Sequence, residues 1–391
     1  LPLLLLRADL YRNVGKNGEA IADLESALDM DREMVLPMLM QALEQVRIAA
    51  SSQGEFEQER ATTMRLIELY DAQGNEEGAR AMLMAWIERD AQDLTALQRL
   101  RDMDRAAERW DGVVTACTHL VGLETGDEQV SSALLLADAA EQLGVSENGR
   151  AGLERVHQDQ PENAQIRERL RATYTTLGAQ RELATLLLVD AAHSTDDDER
   201  YEIFRSAASI FVNELGDAEA AIAPAQSAKE LRPDDHATVA LLADVLIASG
   251  QLDEAIAMLE PAIASHKRRS PELAALQYRM SKIGASRGDQ EEQLTWLKKA
   301  FDVDRKDGLI ASELAHLATE IGDYDLALKP LRAITLMDDP EPVSRVMALL
   351  WEAKIEHARG NRAKAELWAK KALREDPAYS EAEDFLAQIA E

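Results

Sequence analysis

This chain of 391 residues has a single cysteine, few basic residues relative to acidic ones and no long apolar run, and each of these features excludes a class of protein. A single cysteine cannot build a disulfide framework or a cysteine-rich zinc site within the chain. The 43 basic residues are outnumbered by 72 acidic ones, and the resulting formal charge of −29 argues against a nucleic-acid binder, which needs a basic surface. No apolar stretch approaches the ~20 residues that a membrane span requires. We therefore expect neither a nucleic-acid partner nor a direct membrane span.

The residues that usually carry catalysis or bind metals are also thinly spread. The seven histidines form no HExxH or HxH motif, and the chain has no GxxxxGK[ST] phosphate loop. Cys117 and His119 lie two residues apart on a predicted helix, so their side chains point in nearly opposite directions and cannot act together. We predict a non-enzymatic protein with no catalytic residues, no metal site and no cofactor, and a core position for Cys117.

Glycine marks an internal repeat. Seven glycines recur with alternating spacings of 34 and 38 residues, and a fixed period of this size is typical of stacked-repeat proteins. Their positions are Gly144, Gly178, Gly216, Gly250, Gly288, Gly322 and Gly360.

Each repeating unit reads as two antiparallel helices joined at the glycine. Between His236 and Ser265, apolar residues recur with helical spacing on both sides of Gly250, where a residue without Cβ can adopt positive φ. Neither helix can bury its apolar stripe alone, so each hairpin must stack on the next one. The apolar residues are Leu242, Ala243, Leu246 and Ile247 before the glycine and Ala255, Leu259 and Ala262 after it.

This pattern resembles the tetratricopeptide repeat (TPR) family, whose motif is a 34-residue helix–turn–helix with small residues where its two helices approach. The unit around Trp110 diverges, because Glu108 takes the place of the turn glycine. The resemblance implies an all-α fold, a right-handed superhelical solenoid of about ten hairpins with a C-terminal capping helix. Besides those around Gly250, the residues that carry it include Leu314, Ala315, Gly322, Asp323, Tyr324, Ala327 and Leu331, then Ala353, Gly360, Ala365, Ala372 and Pro377, and near the start Tyr11, Gly15, Ala20, Leu24 and Ala27.

We divide the chain into a TPR-like array over residues 1–379 and a capping helix over 380–391. An additional helix at 34–50 has no obvious partner in this pattern. The ten hairpins are expected near 1–30, 56–89, 92–122, 127–157, 163–192, 197–230, 236–265, 271–302, 307–336 and 341–374.

The resemblance also implies a binding surface, because the first helix of each hairpin lines a concave groove in the TPR family. Trp351 fits a core position between hairpins equally well. The family's carboxylate clamp is not expected, because its asparagines have no counterpart at the matching positions. Projecting the motif onto the last three repeats gives the candidate partner-binding residues Tyr278, Lys282, His316, Trp351, Lys354 and His357.

Charge is distributed unevenly along the chain. Residues 1–250 carry 23 basic and 46 acidic residues, whereas residues 251–391 carry 20 and 26, and ten of the twelve lysines follow residue 266. Lys267, Arg268 and Arg269 form the one dense basic cluster, and we count them among the candidate partner-binding residues. We expect the last third of the chain to attract acidic protein segments; the alternative is that the acidic residues simply keep a helical array soluble.

The most consistent function is a protein–protein scaffold or adaptor that binds other proteins or peptides within a multi-subunit assembly. The alternative is a regulatory or sensor module of a longer enzyme or membrane-anchored protein. Because the first residue is Leu1 and residues 1–6 are almost all leucine, we expect further repeats upstream, with a partner surface as the alternative. A cytoplasmic location is favoured, and a periplasmic one stays open because the chain does not begin with methionine.

Overall fold

The computed structural model describes residues 1–390, and all its regular elements are helical. The chain divides into two compact units, residues 1–179 and the residues from Gln180 onwards. The first unit contains ten helices: α1 (Pro2–Asn13), α2 (Asn17–Leu28), α3 (Arg32–Gln53), α4 (Phe56–Ala72), α5 (Glu76–Arg89), α6 (Leu94–Ala106), α7 (Trp110–Leu123), α8 (Gly126–Leu143), α9 (Ser146–Asp159) and α10 (Ala164–Leu177).

The second unit continues the same pattern, and its helix α12 ends in a π-helical turn over Ile210–Glu214. Its helices are α11 (Gln180–His193), α12 (Asp197–Ser209), α13 (Ala218–Leu231), α14 (His236–Ala248), α15 (Leu252–Ser265), α16 (Pro271–Arg287), α17 (Gln290–Val303), α18 (Gly308–Glu320), α19 (Tyr324–Ile334), α20 (Arg345–Ala358), α21 (Arg362–Glu375) and α22 (Ser380–Ala390).

The turns within the hairpins share a left-handed residue. Gly144 ends α8 with a φ of +70°, and the amide of Val145 donates to the carbonyl of Ala140 at 2.8 Å, which closes the helix end. Glu108 occupies the same place in the divergent unit and adopts a φ of +54°, and the amide of Arg109 donates to the Asp104 carbonyl at 2.8 Å. The turn therefore keeps its left-handed conformation without a glycine, although glycine adopts that conformation more readily than glutamate.

Some of the chain's aspartates act as N-caps at the starts of helices. Asp235 accepts a hydrogen bond from the amide of Thr238 at 2.8 Å, and Asp289 accepts one from the amide of Glu292 at 2.9 Å. Each carboxylate satisfies an amide that has no partner within the first turn of its helix. These aspartates follow directly on the turns and connections, so each helix starts at a defined residue.

The buried apolar residues form a series of local clusters along each unit. In the first unit one cluster joins α1 to α4 and another joins α4 to α7. In the second unit, clusters join α11 to α17, α16 to α20 and α20 to α22. Cys117 is fully buried, as predicted for a core position, and burial raises its thiol pKa to about 12. Each hairpin is thus stabilised mainly by its neighbours in sequence.

Helices within a hairpin approach closely where small residues face each other. A Cβ placed on Gly149 of α9 would lie 2.8 Å from the Cα of Ala137 in α8. Ala243 and Ala255, on the two helices around Gly250, are both fully buried. The predicted all-helical architecture of stacked hairpins, with small residues between paired helices, is confirmed.

The additional segment at 34–50 lies within α3, and the structure shows the partners that the repeat pattern did not reveal. Helix α3 packs against both α2 and α4. Its residues Leu36, Leu39 and Leu43 are buried in the cluster that joins α1 to α4. The turn at Gly54, with a φ of +73°, pairs α3 with α4. Since α4 is also followed by a glycine turn into α5, glycine turns join α4 to both of its neighbours in sequence.

The last helix, α22, covers the end of the second unit. Ala382, Phe385 and Ile389 are buried in a cluster with α20 and α21, while Glu381 and Glu383 are exposed. The apolar side of α22 thus covers the preceding hairpin, and its acidic side chains lie in its first turn, where the positive end of the helix dipole favours them.

Candidate functional site

The candidate residues lie on the first helices of three hairpins in the second unit. Tyr278 and Lys282 belong to α16, His316 to α18, and Trp351 and Lys354 to α20. Tyr278 and Trp351 are half-buried against the same core cluster, so α16, α18 and α20 share one core. We call this surface of five residues the first-helix face.

The hydroxyl of Tyr278 is protonated, and the charged groups around it are mostly carboxylates. Its pKa is raised to about 12, first by burial and then by the carboxylates of Glu313, Asp244 and Asp307. The ammonium of Lys282 lies 5.2 Å from the centre of the tyrosine ring, a distance that permits a cation–π interaction. Tyr278 therefore combines an apolar ring, a hydroxyl that can donate and a nearby cation.

An ion pair joins Tyr278's helix to the preceding first helix. Arg279 donates to the Asp244 carboxylate of α14 at 2.6 Å and to the carbonyl of Ala240 at 3.0 Å. Because Arg279 is mostly buried and held on both sides, it links α14 and α16 and leaves Lys282 as the exposed cation of this region.

His316 and Trp351 meet across α18 and α20. Their ring centres are 6.1 Å apart with the planes at 81°, an edge-to-face contact. The Nδ1 atom of His316 lies 3.7 Å from a carboxylate oxygen of Glu320. Trp351 thus packs against the core while its ring also contacts an exposed histidine, so it has features of both roles that the sequence allowed.

His357 lies elsewhere. Its ring makes an edge-to-face contact with Phe385 of α22, with ring centres 5.9 Å apart. Lys354, one turn earlier, is exposed and forms no ion pair within residues 1–390. The structure therefore associates His357 with the terminal helix and leaves Lys354 as the free cation of α20.

The basic cluster lies on the connection between α15 and α16. Lys267, Arg268 and Arg269 are all exposed, and none forms an ion pair in the described part of the chain. From the start of α16 at Pro271 to Tyr278 the helix rises roughly 10 Å. The basic loop, which we define as residues 267–269, is thus a separate site from the first-helix face.

The sequence pattern missed two features of the second unit. The rings of His236 and His266 lie in contact, tilted by 38° with centres 4.6 Å apart, although 30 positions separate them in the chain. Glu352 of α20 is fully buried, and burial raises its pKa to about 7 against the opposing effect of Arg332, whose Nε lies 3.6 Å away. Neither carboxylate oxygen of Glu352 has a hydrogen-bond partner in residues 1–390.

Residues 1–390 contain neither a cluster of metal ligands nor a membrane-spanning helix. No group of three or more His, Cys, Asp or Glu side chains there is placed to hold a metal ion. No described helix is both long enough and apolar enough to span a bilayer.

Several solved structures resemble the chain at low identity. A tetratricopeptide repeat protein from Parabacteroides merdae is 14% identical, with a match covering 67% of this chain and 98% of that one and a TM-score of 0.39. YrrB, described as a TPR protein with an unusual peptide-binding site, is 20% identical over 46% of this chain and 88% of its own, with a TM-score of 0.33. The Cut9–Hcn1 hetero-tetramer of APC/C provides a chain 14% identical, with coverages of 99% and 90% and a TM-score of 0.33.

Models of one protein family match parts of the chain. No curated protein matches the chain at a significant level. Tetratricopeptide repeat models match three separate stretches, residues 1–34, 213–279 and 312–380, which lie in both units. These matches coincide with helical hairpins closed by left-handed glycines, and the three matched stretches are tetratricopeptide repeats.

Proposed function

We propose that this protein is a non-enzymatic scaffold or adaptor that binds other proteins through the first-helix face of its second unit. The observation that carries the proposal is the contact between His316 and Trp351 beside the Tyr278–Lys282 pair. Partly buried aromatic rings held in place by a core, with donors at their edges, are the residues that contribute most to protein interfaces.

The chemistry of the face favours a peptide segment that offers both acceptors and apolar side chains. Tyr278 stays protonated at neutral pH because its pKa is about 12, so its hydroxyl can donate a hydrogen bond. Lys282 of α16 and Lys354 of α20 add two exposed positive charges to the face. The three tetratricopeptide repeat matches support the same role, because stacked helical repeats provide extended binding surfaces.

Site-specific photo-crosslinking tests this proposal. A benzophenone amino acid is placed at Lys282 or at Lys354, and the purified protein is irradiated in extract from the source organism. The control carries the same group at Lys370, an exposed position of the second helix α21. We expect discrete protein adducts from the two face positions and not from the control. Adducts that form equally at all three positions, or at none of them, would contradict the proposal.

A further inference from the structure

A second surface of this unit has no role in the proposed function. An open groove of about 1230 Å³ lies between α17 and α19, the second helices of two successive hairpins. Small-molecule sites typically measure about 300–1,000 Å³, so this groove is large for a metabolite and has room for part of a polypeptide. We call it the second-helix groove.

The groove has an apolar floor and an exposed apolar side chain at its edge. Phe301 of α17 and Leu314 of α18 are buried beneath it, and Leu326 of α19 is half-buried. Leu336, just after α19, is 84% exposed, the highest exposure among the large hydrophobic residues of the described chain. An exposed leucine beside an apolar floor is typical of a surface that another molecule covers.

The acidic side chains of the groove are already engaged. Asp325 pairs with Arg359 at 2.9 Å, and Asp338 pairs with Arg345 at 3.4 Å. Asp302 pairs with Arg305 at 3.2 Å. The fourth carboxylate, that of Asp323, accepts a hydrogen bond from the amide of Leu326 at 3.0 Å as the N-cap of α19.

The lysines of the groove are not engaged. Lys298, Lys306 and Lys329 form no ion pair within residues 1–390. Lys306 and Lys329 are exposed, and Lys298 is half-buried. Since the local carboxylates are taken by other partners, the groove offers three free cations around an apolar floor. The lining holds five basic and four acidic residues, a small excess of positive charge that contrasts with the formal charge of −29 on the whole chain.

We propose that the second-helix groove binds an acidic amphipathic segment of a partner protein. Apolar side chains of the segment pack on Phe301 and Leu336, and flanking carboxylates pair with Lys298, Lys306 and Lys329. The arrangement corresponds to an amphipathic segment lying in a groove, where apolar anchors supply affinity and complementary charge fixes orientation. The site is separate from the first-helix face, so it gives the protein a second, independent partner surface.

A peptide library identifies the preferred ligand without a known partner. The probe is a displayed library of random peptides of about 16 residues, long enough for roughly four helical turns. Selection is carried out on the full chain. We expect enriched sequences with leucine, phenylalanine or methionine at helical spacing, flanked by aspartate or glutamate. Synthetic peptides of that consensus are then titrated by fluorescence anisotropy.

Two charge-matched variants locate the binding site. The groove variant carries Lys298→Glu, Lys306→Glu and Lys329→Glu, and the control carries Lys267→Glu, Arg268→Glu and Arg269→Glu in the basic loop. Both variants change the net charge by the same amount. We expect the groove variant to weaken peptide binding by at least about tenfold and the control to change it by less than about threefold, because only the groove charges contact the peptide.

A third variant tests the apolar anchor without threatening the fold. Leu336→Asp alters a side chain that is almost fully exposed, so circular dichroism is expected to be unchanged while peptide affinity falls.

A consensus without acidic residues, or binding lost in the basic-loop control and kept in the groove variant, overturns the proposal. Self-association of the wild type in sedimentation velocity that disappears in the groove variant also overturns it, because the occupant is then a second copy. None of these outcomes depends on the first-helix face, whose crosslinks test the proposed function separately.

Discussion

We predict that the stability of the last hairpins depends on pH through the carboxyl of Glu352. Its carboxyl is fully buried, its pKa is raised from 4.5 to about 7, and its nearest cation, Arg332, lies 3.6 Å away and is itself largely exposed. In the unfolded chain the same carboxyl ionises near 4.5. The folded state therefore prefers the neutral form, and its stability is greatest below pH 4.5 and falls as the pH rises towards and through 7.

The magnitude follows from the two pKa values. A pKa near 7 instead of 4.5 corresponds to about 3 kcal/mol, at about 1.4 kcal/mol for each factor of ten in the ionisation constant. Because the chain's isoelectric point is near 4.7, measurements above pH 5.5 avoid the region of lowest solubility. Between pH 5.5 and pH 8, about 2 kcal/mol of this effect is accessible.

The perturbation is Glu352→Gln, which keeps the shape of the side chain and removes its ionisation. The assay is hydrogen exchange of the α20 amides, which reports the free energy of opening that helix. We expect the variant to gain about 2 kcal/mol over the wild type as the pH rises from 5.5 to 8. Glu383→Gln, at an exposed position of α22, is the control and is expected to parallel the wild type. Parallel profiles for Glu352→Gln and the wild type would show that Arg332 keeps Glu352 ionised throughout, which refutes the reasoning.

Two further predictions concern glycine positions in the first unit. Gly149→Ala places a Cβ 2.8 Å from the Cα of Ala137, so we expect a loss of about 1–3 kcal/mol in urea unfolding. Gly18→Ala, in α2 with open space around its new Cβ, is the matched control and is expected to be neutral or to stabilise by up to about 1 kcal/mol. Glu108→Gly relieves a φ of +54° and is expected to raise the unfolding free energy by about 0.5–1 kcal/mol; a lower midpoint in urea would show that the glutamate side chain contributes more than the backbone costs.

The helices and their turns could be predicted because their signals are local. Helical spacing of apolar residues on both sides of Gly250 and a left-handed residue between them are properties of one short segment. Even Glu108 could be assigned to a turn, since the surrounding repeat marked its place. The partner of α3 could not be assigned, because the long α3 and its own turn at Gly54 depart from the repeating unit.

The candidate site could be predicted only in part. The repeat register placed Tyr278, His316 and Trp351 on successive first helices, and the structure brings the last two into contact. The repeat register did not predict the contact between His357 and Phe385, because the packing of the terminal helix depends on a segment outside the repeat. The second-helix groove was also missed, since its width depends on the separation of α17 and α19 and not on either sequence alone.

The division of the buried side chains into neighbouring clusters has a consequence for how such a chain changes over generations. A duplicated or deleted hairpin alters contacts only with the hairpins beside it, so gene segments encoding one repeat can be gained or lost without redesigning distant parts. Length is therefore a variable that selection can adjust in whole steps. A duplication of the hairpins from α16 to α20 would then copy the first-helix face and the second-helix groove together.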